Sequence, residues 1–366
     1  MNDKRLKDTF LRLLETDSPF GHEKAAAEIV TAFLDRHGIP WEDDGSAART
    51  GSDTGNIISA GPGGARLSFC AHMDTIRIFE KKSALTDGSV IKSSGVLGID
   101  DKSGVALLLE LMALLNEKGG VPPDIHFLFT VGEEWGFRGA WALDPRHFTG
   151  AYNFVVDSGG VPLARAVTGG VGQTSYSIGV KGAMAHASIR GGKNAAVFAA
   201  ECIAALEPGP AGASAFIHVA SLECPGSPNT VPDRALIQGQ LLYRDSAEEE
   251  PLLEKMRAAV RERADRAGFE LVFSAARDCA PWFLPDDDPL IEYARLAAAK
   301  AGLPFHTGQT GSGSDAQVIA QRGGRAIKIS TGMLAPHSAE ERVDFQDMKK
   351  SLRFLWALAG REPAEI

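Results

Sequence analysis

The sequence predicts an α/β fold in which a domain with a mostly parallel central sheet is interrupted by a smaller α+β domain. Helical and strand-like patterns alternate through the first part of the chain, and the order of elements changes near Gly170. The alternating pattern then returns after Pro281. A chain of 366 residues is long enough for both domains, which we place at 1–169 with 282–366 and at 170–281.

The first domain is predicted from alternating periodicities. Apolar residues recur at helical spacing from Asp3 to Glu15 and from Glu23 to Arg36, and SGVALLLELMALL predicts a long apolar helix. The strand-like runs around these helices are NIISA, RLSFCA, VIKSS, IHFLFTV and NFVVD. This alternation is typical of helices packed on a mostly parallel sheet.

The insert has a different order of elements. A strand (TSYSIGV), a helix (NAAVFAAECIAAL), two strands (AFIHVASLE and ALIQGQLLY), a charged helix beginning EEEPLLEK and a strand (ELVFSA) follow one another. This βαββαβ order predicts a split-βαβ, ferredoxin-like domain. The prolines and acids of PWFLPDDDP then indicate a linker, after which helix and strand patterns resume in IEYARLAAAKAG, DAQVIAQRG and RAIKIS.

Composition excludes several classes of protein. The chain is 44% hydrophobic and 23% charged, with a net charge of -9, whereas binding of nucleic acid or an anionic membrane needs a basic face. We therefore expect a small-molecule or peptide substrate. The N-terminus has helical spacing rather than a signal pattern, and no window approaches the ~20 apolar residues of a membrane span. Scattered cysteines predict reduced thiols in a cytoplasmic protein: Cys70, Cys202, Cys224 and Cys279.

Polar side chains with metal-binding chemistry follow several strand-like runs. In HMDT, His72 and Asp74 are two residues apart, so both side chains point to the same side of an extended segment. Taken alone, such a pair is more often two polar residues at the end of a strand than a functional pair. In GIDDKSG, Asp100 and Asp101 precede a helix, where aspartates are also common as caps.

Further carboxylates and a histidine occur at corresponding places. Glu133 and Glu134 follow the strand IHFLFT in TVGEEWG, and the flanking glycines allow the turn that would bring both towards one site. Asp157 ends NFVVD, and His337 follows the strand RAIKIS. Sites in open α/β sheets lie at the carboxyl ends of the strands, so these separate segments are expected to meet.

This residue set indicates a metal centre. Imidazoles and carboxylates without a thiolate pattern suit zinc or a similar divalent ion, and there are more acids than one ion needs. We therefore predict two ions, Zn²⁺ in the first instance, with Co²⁺ or Mn²⁺ as alternatives. Such a pair activates a water that attacks a carbonyl or phosphoryl centre, which predicts a hydrolase.

The motifs HMDT, GIDDKSG, TVGEEWG, VVDSGG and HSAEERV, in this order around a βαββαβ insert, resemble the dinuclear zinc peptidase family. That family includes peptidase T, glutamate carboxypeptidases and aminoacylases, and the resemblance covers nearly the whole chain. Within this family the chain is most similar to peptidase T-like members, because of the DDK of GIDDKSG and the aspartate of VVDSGG. The resemblance implies a zinc-peptidase catalytic domain interrupted by a lid or dimerisation domain.

The resemblance also implies roles for the residues of the site. Asp100 would bridge both ions, and Glu133 would be the general base that moves protons to and from the reacting groups. Asp74 would orient a histidine ligand. The peptide bond between Asp100 and Asp101 would be cis. The remaining ligands would be His72 and Asp157 for the first ion, and Glu134 and His337 for the second.

Further substrate-contacting residues are implied by motif position. His186 in GVKGAMAHAS matches a histidine that stabilises the tetrahedral oxyanion, although alone it reads as an ordinary loop histidine. Asn229 in SPNTVPD matches a substrate-binding position, but Asn and Pro also mark turns. In GSGSDAQ, Gly313 and Ser314 match the glycine-rich loop of the substrate pocket, and glycines also simply form turns.

The leading hypothesis is an aminopeptidase or tripeptidase that releases N-terminal residues from short peptides. In the resembled family, an aspartate at the Asp157 position tends to accompany aminopeptidases. The glycine-rich loop TGQTGSGSDAQ departs from peptidase T because it lacks an arginine that could hold a peptide carboxylate. The alternatives are a deacylase or carboxypeptidase acting on N-acyl amino acids or dipeptides, and an inactive peptide-binding protein. A homodimer formed through the insert is a further expectation.

Overall fold

The computed structural model describes residues 1–76, 83–92, 98–160, 163–189 and 191–362. The helices, in chain order, are α1 (Asp3–Leu14), α2 (Lys24–Arg36), α3 (Ala47–Thr50), α4 (Ile99–Glu117), α5 (Arg138–Ala142), α6 (Ala195–Leu206), α7 (Glu249–Ala267), α8 (Pro289–Lys300), α9 (Asp315–Gln321) and α10 (Phe345–Leu358). Short 3₁₀ turns lie at Pro145–His147 and Ser246–Glu248. Among the described residues, none of these helices combines the length and apolar character needed to cross a membrane.

The strands in the first half of the chain are β1 (Glu42–Asp43), β2 (Ile57–Ser59), β3 (Leu67–His72), β4 (Leu85–Asp87), β5 (Val90–Lys92), β6 (Ile125–Thr130), β7 (Tyr152–Ser158), β8 (Ala164–Gly170), β9 (Gly172–Lys181) and β10 (Ala185–His186). Those in the second half are β11 (Gly209–Ala211), β12 (Ala215–Glu223), β13 (Thr230–Val231), β14 (Arg234–Tyr243), β15 (Glu270–Cys279), β16 (Trp282–Phe283), β17 (Phe305–Gln309), β18 (Arg325–Ser330), β19 (Met333–Leu334) and β20 (Arg342–Asp344).

The chain divides into two compact units. Unit 1 is formed by Met1–Gly169 together with Trp282–Ile366, and unit 2 by Gly170–Pro281. The division falls at the residues where the order of predicted elements changes. Each unit has its own cluster of buried apolar side chains.

The main sheet of unit 1 has the strand order β1-β2-β6-β3-β7-β18-β8-β16, and β17 also pairs with β8. Its central strands β6, β3, β7 and β18 run parallel, with Leu67 opposite both Ile125 and Tyr152. The carboxyl ends of these strands therefore lie along one edge of the sheet. The predicted α/β class with a mostly parallel sheet is confirmed.

Helix α4 is the central helix of unit 1. It packs against β3 and β7, and its side chains are buried from Val105 to Leu115 because α1, α2 and α10 cover its other sides. The apolar runs of β3 and β6 are buried along their whole length, as expected for parallel strands covered on both faces. The rings of Phe69, Phe127 and Phe154 stack within this sheet at centroid distances of 5.5 and 5.4 Å.

Several details differ from the sequence-based expectation. The predicted linker PWFLPDDDP contains β16, which forms a sheet edge beside β8, and the Leu284 N–H donates to Thr168 O at 2.7 Å. Strands β8 and β17 were not predicted because glycines and polar residues interrupt their apolar pattern. Of the predicted strand VIKSS, Val90–Lys92 forms β5 in a separate sheet of order β19-β20-β5-β4. Its two serines lie outside the described residues.

Unit 2 has an antiparallel sheet of order β11-β12-β14-β9-β15. Helices α6 and α7 pack on each other and against this sheet, and their apolar faces enclose a buried core. The long strands and helices follow the predicted βαββαβ order. A separate pairing joins β10 to β13, with His186 opposite Thr230.

Candidate metal centre

The end of β3 and the turn after β6 lie side by side at the carboxyl edge of the sheet. His72 is the last residue of β3 and pairs in register with Thr130, the last residue of β6. The chain then turns with positive φ angles at Gly132 (62°) and Gly136 (89°). Such angles favour glycine, and they produce the turn that was expected around Glu133 and its neighbour.

Asp100 lies between the histidines of the site. Its Oδ1 is 3.4 Å from Nε2 of His72, and its Oδ2 is 3.2 Å from Nε2 of His337. Nε2 of His337 is also 2.7 Å from Oε1 of Glu134. On the other side, Nε2 of His72 is 4.0 Å from Oδ1 of Asp157. The structure thus brings together all five predicted ligands, with Asp100 in the middle.

Glu133 joins this group without pairing with the second histidine. Its Oε2 is 4.0 Å from Nε2 of His72, and the side chain is buried. The adjacent Glu134 instead contacts His337. The two neighbouring glutamates therefore face different parts of the centre.

Asp74 connects the end of β3 to the turn that carries the glutamates. Its Oδ1 lies 3.3 Å from Nδ1 of His72. The backbone N–H of Glu133 donates to Oδ1 and that of Glu134 donates to Oδ2, each at 3.0 Å. Asp74 is fully buried, so its carboxylate sets the spacing of residues from separate strands.

The carboxylate of Asp101 accepts hydrogen bonds from backbone groups beside the site. Its Oδ2 accepts the backbone N–H of His72 at 3.3 Å, and its Oδ1 accepts that of Gly104 at 3.0 Å. The bond between Asp100 and Asp101 is cis, as predicted. Asp101 was not predicted as a ligand, although it also offers an oxygen close to His72 and Asp157, within a set whose donor atoms lie within 4.8 Å of one another.

Two residues that the sequence did not single out contact this centre. Glu341 is fully buried and accepts the backbone N–H groups of Gly98 (3.0 Å) and Asp100 (3.2 Å). Lys328 is buried on β18, and its Nζ lies 3.0 Å from Oδ2 of Asp157. Glu341 belongs to the motif HSAEERV and could have been considered from the sequence. The sequence around Lys328 does not indicate that this lysine pairs with Asp157.

Burial and mutual charge shift the titration of the site. Burial raises the pKa of Glu133 well above its usual range, and the charge of Asp157 adds to this although His72 opposes it. Burial also raises the pKa of Asp157 to about 7, against the charge of Lys328. For His337, burial opposes protonation, but hydrogen bonds to Asp100 and Glu134 raise its pKa to about 11.

The donor set fits divalent metal ions. Within the part of the chain that the structure describes, Oδ1 of Asp100 is buried without a hydrogen-bond partner. A buried carboxylate oxygen in that state is costly unless a cation binds it. Imidazole nitrogens and carboxylate oxygens on both sides of it are the ligands that Zn²⁺, Co²⁺ and Mn²⁺ accept.

The remaining predicted residues lie elsewhere. Gly313 and Ser314 are buried just before α9 in unit 1. His186 and Asn229 are exposed in unit 2, where the backbone N–H of Ala187 donates to the carbonyl oxygen of Asn229 at 2.8 Å. Their roles toward a substrate stay predictions.

Known proteins are similar to this chain in sequence and fold. The sequence profile of Peptidase family M20/M25/M40 matches residues 69–361. The uncharacterized protein YqjE of Bacillus subtilis (strain 168) is 28% identical over 365 residues, which cover 98% of each chain. The structure of aminopeptidase PepT from Bacillus cereus ATCC 10987 is similar with a TM-score of 0.74 at 28% identity, over 98% of both chains.

A tripeptidase from Staphylococcus aureus subsp. aureus Mu50 has a similar structure, with a TM-score of 0.80 at 23% identity over 98% of both chains. The matched family profile spans the strands and turns that carry the candidate ligands. The fold and the acidic, histidine-containing centre at the sheet edge agree with this match. The chain therefore belongs to Peptidase family M20/M25/M40 and is a metallopeptidase, as its resemblance to peptidase T-like members implies.

Proposed function

We propose that this metallopeptidase is an aminopeptidase that removes N-terminal residues from short peptides and uses two divalent ions. In this proposal the first position consists of His72, Asp157 and Oδ1 of Asp100. The second position consists of Glu134, His337 and Oδ2 of Asp100. Zn²⁺ is the ion that we expect first at both positions.

One observation carries the proposal: the oxygens of Asp100 face different histidines. Oδ1 lies 3.4 Å from Nε2 of His72, and Oδ2 lies 3.2 Å from Nε2 of His337. A carboxylate placed in this way can bind one ion with each oxygen. When bound, two divalent ions would lower the pKa of a water between them and polarise the scissile carbonyl group.

Glu133 is suited to move the protons of the reaction. Its backbone N–H donates to Asp74, and its Oε2 lies 4.0 Å from Nε2 of His72. Burial and the charges of nearby carboxylates raise the pKa of Glu133, although His72 opposes this, so Glu133 is a stronger base than an exposed glutamate. We propose that it takes a proton from the attacking water and passes it to the leaving amine.

Similarity to aminopeptidase PepT over 98% of both chains supports peptides with a free N-terminus as the substrate class. The aspartate at position 157 fits the family tendency towards aminopeptidases. His186 would contribute from unit 2 by stabilising the oxyanion, and Asn229, Gly313 and Ser314 would contact the substrate. The homodimer through unit 2 and the cytoplasmic location also stay predictions.

The test uses metal-free protein reconstituted with Zn²⁺, Co²⁺ or Mn²⁺. We expect it to hydrolyse a defined tripeptide and to release the N-terminal amino acid and a dipeptide, identified by mass spectrometry. The same tripeptide with an acetylated N-terminus serves as the matched control and should be hydrolysed far more slowly. Preferential hydrolysis of the acetylated peptide, or release of the C-terminal residue, would contradict the proposal.

A further inference from the structure

Lys328 places a fixed positive charge on one side of the candidate metal centre. Its Nζ lies 3.0 Å from Oδ2 of Asp157, and both side chains are buried. Oδ1 of the same carboxylate faces His72, whose Nε2 is 4.0 Å away. Asp157 therefore offers one oxygen to the first position while the lysine holds the other.

The sheet fixes this contact. Lys328 lies on β18, which runs parallel to β7, and its Cα is in register with that of Val155. The register shifts before Ser330, which is opposite Ser158. A lysine at this point of β18 therefore lies beside the end of β7 that carries Asp157, and its side chain is only 9% exposed.

The two positions otherwise have the same kinds of donor. Each has the Nε2 of a histidine, one oxygen of Asp100 and one further carboxylate. In the ion pairs of the described residues, Glu134 pairs with His337 and with no lysine or arginine. The ammonium group on Asp157 is one difference between the positions. Other differences are the nearby oxygen of Asp101 at the first position and the greater exposure of His337, whose side chain is 47% exposed against 2% for His72.

That difference has a direct electrostatic consequence. A positive charge held within hydrogen-bond distance of a ligand repels a divalent ion on the same ligand, and the repulsion is strong where water is excluded. The ammonium group also lies within hydrogen-bond distance of Oδ2, which disfavours binding of an ion through both oxygens of Asp157. Both effects act directly on Asp157, so they weaken the first position more than the second.

We propose that Lys328 makes the two metal positions unequal, so that the second position fills first and the first position holds a more weakly bound, exchangeable ion. This inference rests on the proposed ligand set. Lys328 is here a positioning residue, since it acts on the ion through Asp157.

The test is a titration of metal-free protein with Zn²⁺, followed by isothermal calorimetry and by metal analysis after dialysis. Wild-type protein should bind two ions with dissociation constants that differ by about tenfold or more. Lys328→Met should tighten the weaker constant by about tenfold or more and change the tighter one much less. Lys328→Arg, which keeps the charge, should retain the wild-type difference.

Position-specific variants assign the two constants. His337→Ala should leave the weaker site, and Lys328→Met added to it should tighten that site. If Lys328→Met does not fold, as judged by circular dichroism, Lys328→Gln replaces it, because glutamine is neutral but can still donate a hydrogen bond. Lys349→Met removes a lysine that pairs with Asp3 on the surface and should change neither constant.

The possible results separate this inference from the proposed function. Two ions of unequal affinity that become similar in the neutral variant support it. If the ratio of the two dissociation constants is the same in wild type and in the neutral variant of Lys328, the inference is wrong. It is also wrong if His337→Ala removes the weaker site rather than the tighter one. Protein that binds no Zn²⁺ at all would overturn the proposed function as well.

Discussion

The carboxylate of Asp74 accepts the backbone N–H of Glu133 at 3.0 Å. Oδ2 accepts the N–H of Glu134 at the same distance, and Nδ1 of His72 lies 3.3 Å from Oδ1. Nδ1 of His72 is closer still to the backbone oxygen of Asp74, at 2.9 Å. Asp74 thus contacts a histidine at the end of one strand, and its carboxylate holds the turn after β6. The division of roles between the adjacent glutamates depends on this contact.

Asp74→Asn should therefore lower activity without unfolding the protein. The amide nitrogen of asparagine cannot accept a backbone N–H, so one of the two glutamate amides loses its partner and the turn shifts. Loss of such a supporting contact typically costs about 10- to 100-fold in activity or metal affinity. The measurement is kcat/KM together with metal content. Asp245→Asn, at an exposed aspartate that also accepts a backbone N–H, should have no effect on either quantity.

Replacement of the glutamates one at a time should separate their roles. Glu133→Gln should lower kcat by about 10²- to 10⁴-fold, because the proton acceptor is lost, while metal content stays at the wild-type level. Glu134→Gln should lower metal content, because a carboxylate beside His337 is lost. Metal analysis and steady-state kinetics on the same preparations check both statements. A Glu133→Gln enzyme with wild-type turnover would refute the proposed base.

Gly104 allows α4 to approach the strand that carries Asp157. A Cβ at this residue would lie 2.1 Å from the backbone oxygen of Val156 and 2.5 Å from the carboxylate oxygens of Asp101. Gly104→Ala should therefore destabilise the protein by about 2 kcal/mol or more, since backbone must move. Urea denaturation gives the free energy of unfolding. Gly64→Ala, at an exposed site with open space around the new Cβ, should be nearly neutral.

A buried histidine pair should make stability depend on pH away from the metal centre. Nδ1 of His147 lies 3.1 Å from Nδ1 of His126, and both side chains are buried. Burial, with the charges of His126 and Arg146, lowers the pKa of His147 from 6.5 to about 4. Between these values the unfolded chain binds a proton that the folded chain does not, so stability falls as pH decreases from 6.5 towards 4.

This loss should amount to about 1 to 3 kcal/mol over that range. His147→Gln removes the titrating group, so the variant should lose less stability than wild type over the same pH interval. Urea denaturation at several pH values measures the difference. His218→Gln, at an exposed histidine of unit 2, should retain the wild-type slope. Equal slopes in wild type and His147→Gln would contradict the assignment.

Periodicity predicted the elements that have long apolar patterns. Strands β3, β6 and β7 and helix α4 are buried on nearly all sides, so their sequences are continuously apolar and easy to assign. Strand β17 was missed because FHTGQ is half polar and lies at the edge of the sheet. Strand β16 was missed because prolines and acids flank its two residues.

The order of the motifs predicted the residues that meet at the metal centre. It did not predict all of the residues that contact them. The predicted ligands come from segments that end at one edge of a parallel sheet, a relation that follows from topology. Lys328 contacts Asp157 because β18 lies beside β7, and strand order cannot be read from periodicity. Glu341 acts through backbone amides of another segment, which no spacing rule indicates.

In the proposed metal centre, Asp100 binds one ion with each of its oxygens. The most direct test is anomalous X-ray diffraction from crystals of the protein grown with Zn²⁺. We predict two anomalous peaks about 3.5 to 4 Å apart, one beside His72 and Asp157 and the other beside Glu134 and His337. A single peak at saturating Zn²⁺, or peaks that Asp100 does not contact, would show that Asp100 does not bind two ions.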